Sequence, residues 1–134
     1  MQCCEDEDRK EINVPNILLV EDEEQLRNLL KIVLVDEGYE VSEASNGTRV
    51  CDMHQQQRFD LVITDLLMPD KEGLSVITDL RCIDQDVRII AMSGGEGGRG
   101  ESYLKMAQKL GARRTLSKPF SIDEFLQTVR LTLE

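Results

Sequence analysis

Apolar residues along this chain alternate between short solid runs and stretches with helical spacing. The first run, Asn16-Ile17-Leu18-Leu19-Val20, predicts a strand covered on both faces. Leu26, Leu29, Leu30, Val33 and Leu34 then recur at helical spacing, predicting a helix that reaches about Glu37 and stops at Gly38. Glu40-Val41-Ser42-Glu43-Ala44 alternates in character, as a shorter strand nearer a sheet edge does. Asn46-Gly47 turns the chain into a weakly amphipathic helix carrying Val50, Met53 and His54. Leu61-Val62-Ile63-Thr64-Asp65 is the next solid run, and Leu74, Ile77, Leu80 and Ile83 mark a helix after Gly73. Arg88-Ile89-Ile90-Ala91-Met92 predicts a strand ending at Ser93, followed by a glycine-rich loop over 94–100. Leu104, Ala107 and Leu110 predict a helix closed by Gly111, before the brief strand Arg114-Thr115-Leu116-Ser117. Ser121 caps the final helix with Glu124 at the capping-box position, and Ile122, Phe125, Leu126 and Val129 face inward.

Five strands alternating strictly with five helices predict an α/β domain, a doubly wound parallel sheet with helices on both faces. Ligands of such sheets bind beyond the carboxyl ends of the strands, where the strand order reverses. Glu21, Asp22, Asp65, Ser93 and Lys118 all fall at or just past carboxyl ends of the first, third, fourth and fifth strands.

Composition narrows the picture without changing it. The length of 134 residues suits one domain, with 1–14 expected as a disordered acidic leader and 15–134 as the folded unit. An apolar content of 40% with 4% aromatics predicts an aliphatic interior. The net charge of −10 argues against direct nucleic-acid binding, which needs clustered Lys and Arg. Cys3, Cys4, Cys51 and Cys82 form no C-x-x-C pair and only one His is present, which argues against structural zinc. The charged N-terminus lacks an apolar signal core, and no apolar run nears the roughly 20 residues that span a bilayer. A cytoplasmic protein with reduced thiols is the expectation.

The carboxylates carry the chemistry. If the first and third strands are neighbours, Glu21, Asp22 and Asp65 crowd one small volume and call for a cation. Mg²⁺ (or Mn²⁺) suits such oxygen ligands and also accepts substrate phosphate oxygens. Alone, a Glu-Asp pair after a strand reads equally as a solvated helix N-terminus. Lys118 and Ser93 break the tie, since a Lys at a strand tip supplies a point charge for phosphate and a Ser before Gly94 a hydroxyl. Together they describe phosphoryl transfer to an aspartate, with Asp65 as nucleophile.

These residues resemble the receiver domains of two-component response regulators, of the single-domain, chemotaxis-regulator-like type. The matching segments are Leu19-Val20-Glu21-Asp22, Asp65-Leu66-Leu67-Met68-Pro69, Gly73, Met92-Ser93-Gly94, Leu110-Gly111-Ala112 and Lys118-Pro119-Phe120. The resemblance implies the flavodoxin-like strand order 2-1-3-4-5. It also implies Asp65 as phosphoacceptor, Asp22 as a direct Mg²⁺ ligand, Glu21 as a ligand through water, and the backbone carbonyl of Leu67 as the third protein ligand. Ser93 would be the switch hydroxyl, Lys118 the phosphate-binding lysine, and Lys118–Pro119 a cis peptide. The implied partners are a sensor histidine kinase or histidine phosphotransferase and a downstream protein target, with self-association on phosphorylation compatible. Such a module is not an enzyme beyond its own phosphorylation and dephosphorylation.

Two departures stand out. Thr115 occupies the place where the family carries the aromatic partner of the switch hydroxyl, and the glycine-rich loop is long. Gly95-Glu96-Gly97-Gly98-Arg99-Gly100 satisfies G-x-G-x-x-G, but the next strand ends without the acid a dinucleotide site needs. Glu101 at the lysine position argues against a P-loop. An aspartate-dependent phosphohydrolase of the haloacid-dehalogenase type would need an acid at Leu67. The alternatives that remain are a pseudo-receiver not controlled by phosphate, or a receiver belonging to a longer transcriptional regulator. His54 is expected as a surface or half-buried structural residue without partners, and Cys51 and Cys82 as small hydrophobes on helix faces.

Overall fold

The computed structural model describes residues 14–67, 73–94 and 100–134. The expected leader therefore falls almost wholly outside the described residues, as do 68–72 and the core of the glycine-rich loop, 95–99. Strands β1 (Asn16–Val20), β2 (Glu40–Ala44), β3 (Leu61–Asp65), β4 (Ile89–Ser93) and β5 (Arg114–Ser117) alternate with five helices. These are α1 (Glu24–Asp36), α2 (Val50–Gln56), α3 (Gly73–Ile83), α4 (Gly100–Leu110) and α5 (Ile122–Leu133). The strand order is β2-β1-β3-β4-β5, and every pairing is parallel. The expected 2-1-3-4-5 sheet is the observed one, and its order reverses between β1 and β3.

Side-chain alternation along the strands divides the core in two. Leu18, Val20, Val62 and Ala91 pack with Val50, Val76, Ile77, Leu80 and Ala107, under α2, α3 and α4. Ile17, Leu19, Leu61, Ile63, Ile90 and Met92 pack with Leu30, Leu34, Phe125 and Val129, under α1 and α5. Every residue of β3 and of β4 is buried, which is why both read as solid runs. β2 is the edge strand its alternation predicts, with no fully buried residue.

The helix ends follow their chemistry. Gly38 and Gly111 adopt positive φ, 100° and 127°, the left-handed conformation that ends α1 and α4. Ser121 Oγ accepts from the Glu124 N–H at 3.0 Å, the expected cap of α5.

Several side chains lie elsewhere than their spacing predicts. Leu29, Ile83 and Leu110 are exposed, because a helix resting on a sheet buries a narrower stripe than the apolar pattern offers. Cys51 packs half-buried against the core, whereas Cys82 is exposed rather than a packed hydrophobe. His54 is neither superficial nor unpartnered. It is 2% exposed, and its Nε2 lies 2.7 Å from Asp84 Oδ2, tying α2 to the turn after α3.

Candidate functional site

The carboxyl ends of β1, β3 and β4 and the peptide after β5 converge over the switch point. Glu21 follows β1 directly, and its N–H donates to the Ala44 carbonyl at 3.0 Å, extending the ladder with β2. Its carboxylate Oε2 accepts the Glu23 N–H at 3.1 Å. Asp65 is the last residue of β3, level with Met92 of β4. Lys118 follows β5, and its N–H donates to the Ser93 carbonyl at 2.8 Å. The Lys118–Pro119 peptide is cis, as the resemblance to receiver domains implies.

Side chains close the site. Lys118 Nζ donates to Glu21 Oε1 at 3.0 Å and to Asp65 Oδ2 at 3.2 Å. The other Asp65 oxygen, Oδ1, accepts the Leu67 N–H at 3.4 Å. Glu21, Asp22 and Asp65 each offer a carboxylate oxygen, all within 4.8 Å of one another. Glu21 and Asp65 are buried and Asp22 is exposed. These groups, with Leu67 and Gly94, line a cavity of about 240 Å³.

Burial governs the electrostatics. It pushes Glu21 up to about 7, with the neighbouring Asp65 charge adding to the effect, while the Glu23 N–H and Lys118 oppose it. Burial also raises Asp65 above the usual carboxylate range, although Lys118 and the Leu67 N–H pull the other way. For Lys118, burial alone would favour the neutral amine, but the Asp65 and Glu21 charges outweigh it and hold the ammonium. Among the described residues, three carboxylates face one ammonium, which leaves that part of the cavity short of positive charge. Its donors are all hard oxygens, a set that fits a divalent cation such as Mg²⁺.

Two expected site residues stand slightly apart. Ser93 is fully buried at the tip of β4, and its Oγ donates to the Gly94 carbonyl at 3.2 Å rather than reaching the cavity. Thr115 is level with Ala91, one pleat below the Ser93–Ser117 pair, and half-buried. Two further residues shape the site: Gly73, already among the motif positions, and Arg27, which no sequence pattern singled out. Arg27 of α1 donates from Nη1 to the Glu21 carbonyl at 2.9 Å. Gly73, which opens α3, packs so closely that a Cβ there would meet the Asp65 carbonyl and lie 2.6 Å from Leu66 Cα.

A parallel α/β sheet with a carboxylate–lysine cluster over its switch point defines the class of protein. The family model for the response regulator receiver domain matches residues 17–130, and the chain belongs to that family. It is 34% identical over 115 residues to the sporulation initiation phosphotransferase F of Bacillus subtilis, covering 85% of this chain and 90% of that one. The chemotaxis protein CheY of the same organism is 34% identical over 119 residues, covering 87% and 96%. Among solved structures, the response regulator protein TrrA of Thermotoga maritima, in complex with Mg²⁺ and BeF, aligns with a TM-score of 0.77. That alignment is at 31% identity and covers 89% of this chain and 99% of the other. Among the described residues, no helix is long and apolar enough to cross a membrane.

Proposed function

We propose that this chain is a phosphoacceptor module of a two-component phosphorelay, with Asp65 as the residue phosphorylated. The observation that carries this reading is the Lys118 ammonium shared between Glu21 and Asp65 beside Asp22. An Asp65 carboxylate oxygen attacks the phosphorus of a phosphohistidine on a sensor kinase or phosphotransferase. The O–P bond forms, the N–P bond breaks, and the imidazole leaves with the bonding pair. Lys118 supplies a cationic partner for the incoming phosphoryl oxygens, and the Ser93 hydroxyl turns from the Gly94 carbonyl to donate to one of them.

Glu21, Asp22, Asp65 and the Leu67 carbonyl would hold Mg²⁺ or Mn²⁺, which when bound neutralises charge on the transferring group. The carboxylate–lysine cluster is complete, which favours this reading over a pseudo-receiver despite Thr115. The phosphorylated face would then select a downstream protein. Kinase partners of this kind imply a cytoplasmic setting.

The test is incubation with Mg²⁺ and acetyl phosphate, followed by intact-protein mass spectrometry. A single hydroxylamine-sensitive phosphoryl adduct is expected on the wild type and none on Asp65→Asn. No adduct on the wild type overturns the reading.

A further inference from the structure

Behind the acidic pair, Arg27 closes a ring of contacts that joins three elements. Its Nη1 donates to the Glu21 carbonyl at 2.9 Å, and its Nε lies 3.8 Å from Glu43 Oε2 on β2. Lys31, one turn further along α1, holds the other Glu43 oxygen at 3.5 Å. Ala44, next to Glu43, accepts the Glu21 N–H at 3.0 Å. The ring therefore runs from the tip of β1 through α1 to the tip of β2 and back.

The Glu21 carbonyl belongs to the peptide that joins Glu21 to Asp22. Both carboxylate side chains spring from the two ends of that one planar unit. Its orientation decides where their oxygens point relative to Asp65. Arginine suits the task because its planar guanidinium donates to the carbonyl from one nitrogen while another faces the Glu43 carboxylate at ion-pair distance, an arrangement a point-like ammonium does not reproduce. With only 17% of its side chain exposed, the guanidinium is held rather than waving in solvent.

We propose that Arg27 is a positioning residue for the divalent-cation site, fixing the Glu21–Asp22 peptide so that both acids face the cavity. The inference rests on the phosphoacceptor reading above, which supplies the cation. Its sign separates it from a simple charge effect. A guanidinium near an acidic cavity repels a cation, so charge alone makes the arginine unfavourable and its removal favourable to binding. Positioning makes its removal harmful, and loss of a group that orients metal ligands typically costs about 10- to 100-fold in affinity.

The experiment is calorimetric titration of the full chain with Mg²⁺ alone, for the wild type, Arg27→Ala and Arg27→Lys, with thermal melts of each metal-free protein. We expect Arg27→Ala to bind Mg²⁺ about tenfold more weakly or worse. Arg27→Lys should also bind more weakly, although its charge is kept. Unchanged or tighter Mg²⁺ binding by folded Arg27→Ala overturns the proposal, even if its melting temperature falls, because a mere brace would give that result. Should Arg27→Ala not fold, Arg27→Lys decides: weaker binding supports positioning and unchanged binding overturns it. A wild type that binds no Mg²⁺ overturns the cation site itself, a result distinct from normal wild-type binding with indifferent variants.

Discussion

Lys118 Nζ lies 3.2 Å from Asp65 Oδ2, and the same ammonium reaches Glu21 Oε1 at 3.0 Å. One cation thus serves two buried carboxylates that arrive from neighbouring strands. Burial of either acid alone would be costly, and the shared ammonium offsets part of that cost.

Lys118→Met should therefore destabilise the metal-free protein, and do so in a pH-dependent way. Removing one partner of a fully buried pair costs about 3–5 kcal/mol, but the cavity is open and Lys118 keeps 22% exposure. A loss of about 1–3 kcal/mol at pH 8 is the discounted expectation. Without the ammonium, the folded-state affinities of Glu21 and Asp65 for protons rise further above their already raised values. A carboxylate with a raised folded-state pKa costs nothing below its unfolded-state value, and its cost then grows with pH until the folded-state value is passed. The penalty should accordingly shrink toward pH 6, as urea unfolding at the two pH values would show. An equal loss at both would mean that the carboxylates are not its source.

Ser93→Ala separates cation binding from phosphoryl transfer. The hydroxyl does not line the cation cavity, so Mg²⁺ affinity should stay within a factor of two of the wild type, a margin of about 0.4 kcal/mol. Adduct formation from acetyl phosphate should slow about tenfold or more, because one hydrogen bond to a charged group is worth about 1.5–3 kcal/mol. Stopped-flow or quenched time courses would read both. A weakened Mg²⁺ affinity would place Ser93 in the cation site instead.

Gly73→Ala tests how tightly the backbone around Asp65 is packed. Gly73 donates its N–H to the Leu66 carbonyl at 3.0 Å, and an added methyl group would sit 2.6 Å from Leu66 Cα and 2.9 Å from Leu66 Cδ2. The obstacle is backbone, which cannot swing aside as a flexible side chain does. Overpacking of this kind typically costs about 1–3 kcal/mol, with the Asp65–Leu66 segment displaced. Denaturant unfolding should show the loss, and the acetyl phosphate reaction should slow with it. A variant as stable as the wild type would show that α3 shifts freely against β3.

The fold was legible because its rhythm is local. Solid runs such as Leu61–Asp65 and helical spacing such as Phe125 to Val129 are written within single elements, and caps such as Ser121 within four residues. The acids and Lys118 were legible because each lies at or just past the end of a strand, and parallel pairing forces strand ends together. Arg27 was not, since its target is a backbone carbonyl and any sequence has those. Leu29 was misread because periodicity marks a stripe but not its edge. His54 was misread because Asp84 lies 30 residues away, on an element whose placement only the folded sheet decides.

That buried pair yields the last prediction. A backbone N–H can only donate, so the Phe59 N–H at 3.2 Å requires His54 Nδ1 to accept and leaves the ring hydrogen on Nε2. Nε2–H then donates to Asp84 Oδ2 at 2.7 Å, while Asp84 Oδ1 accepts the Asp86 N–H at 3.0 Å and faces Arg58 Nη2 at 2.7 Å. Burial alone would raise Asp84, but the His54 hydrogen bond, the Asp86 N–H and Arg58 overcome it and lower it below the usual range. A carboxylate lowered in this way adds stability that is present above its unfolded-state value and lost as pH falls through the folded one. Asp84→Ala should cost about 1–3 kcal/mol at pH 7, chiefly by leaving a buried imidazole N–H without an acceptor. Most of Arg58 is exposed and contributes little. The gap between wild type and Asp84→Ala should narrow as unfolding is repeated from pH 5 down to pH 3. Nitrogen-15 spectra at neutral pH should show the Nε2–H tautomer of His54, and the Nδ1–H tautomer would refute this hydrogen-bond assignment.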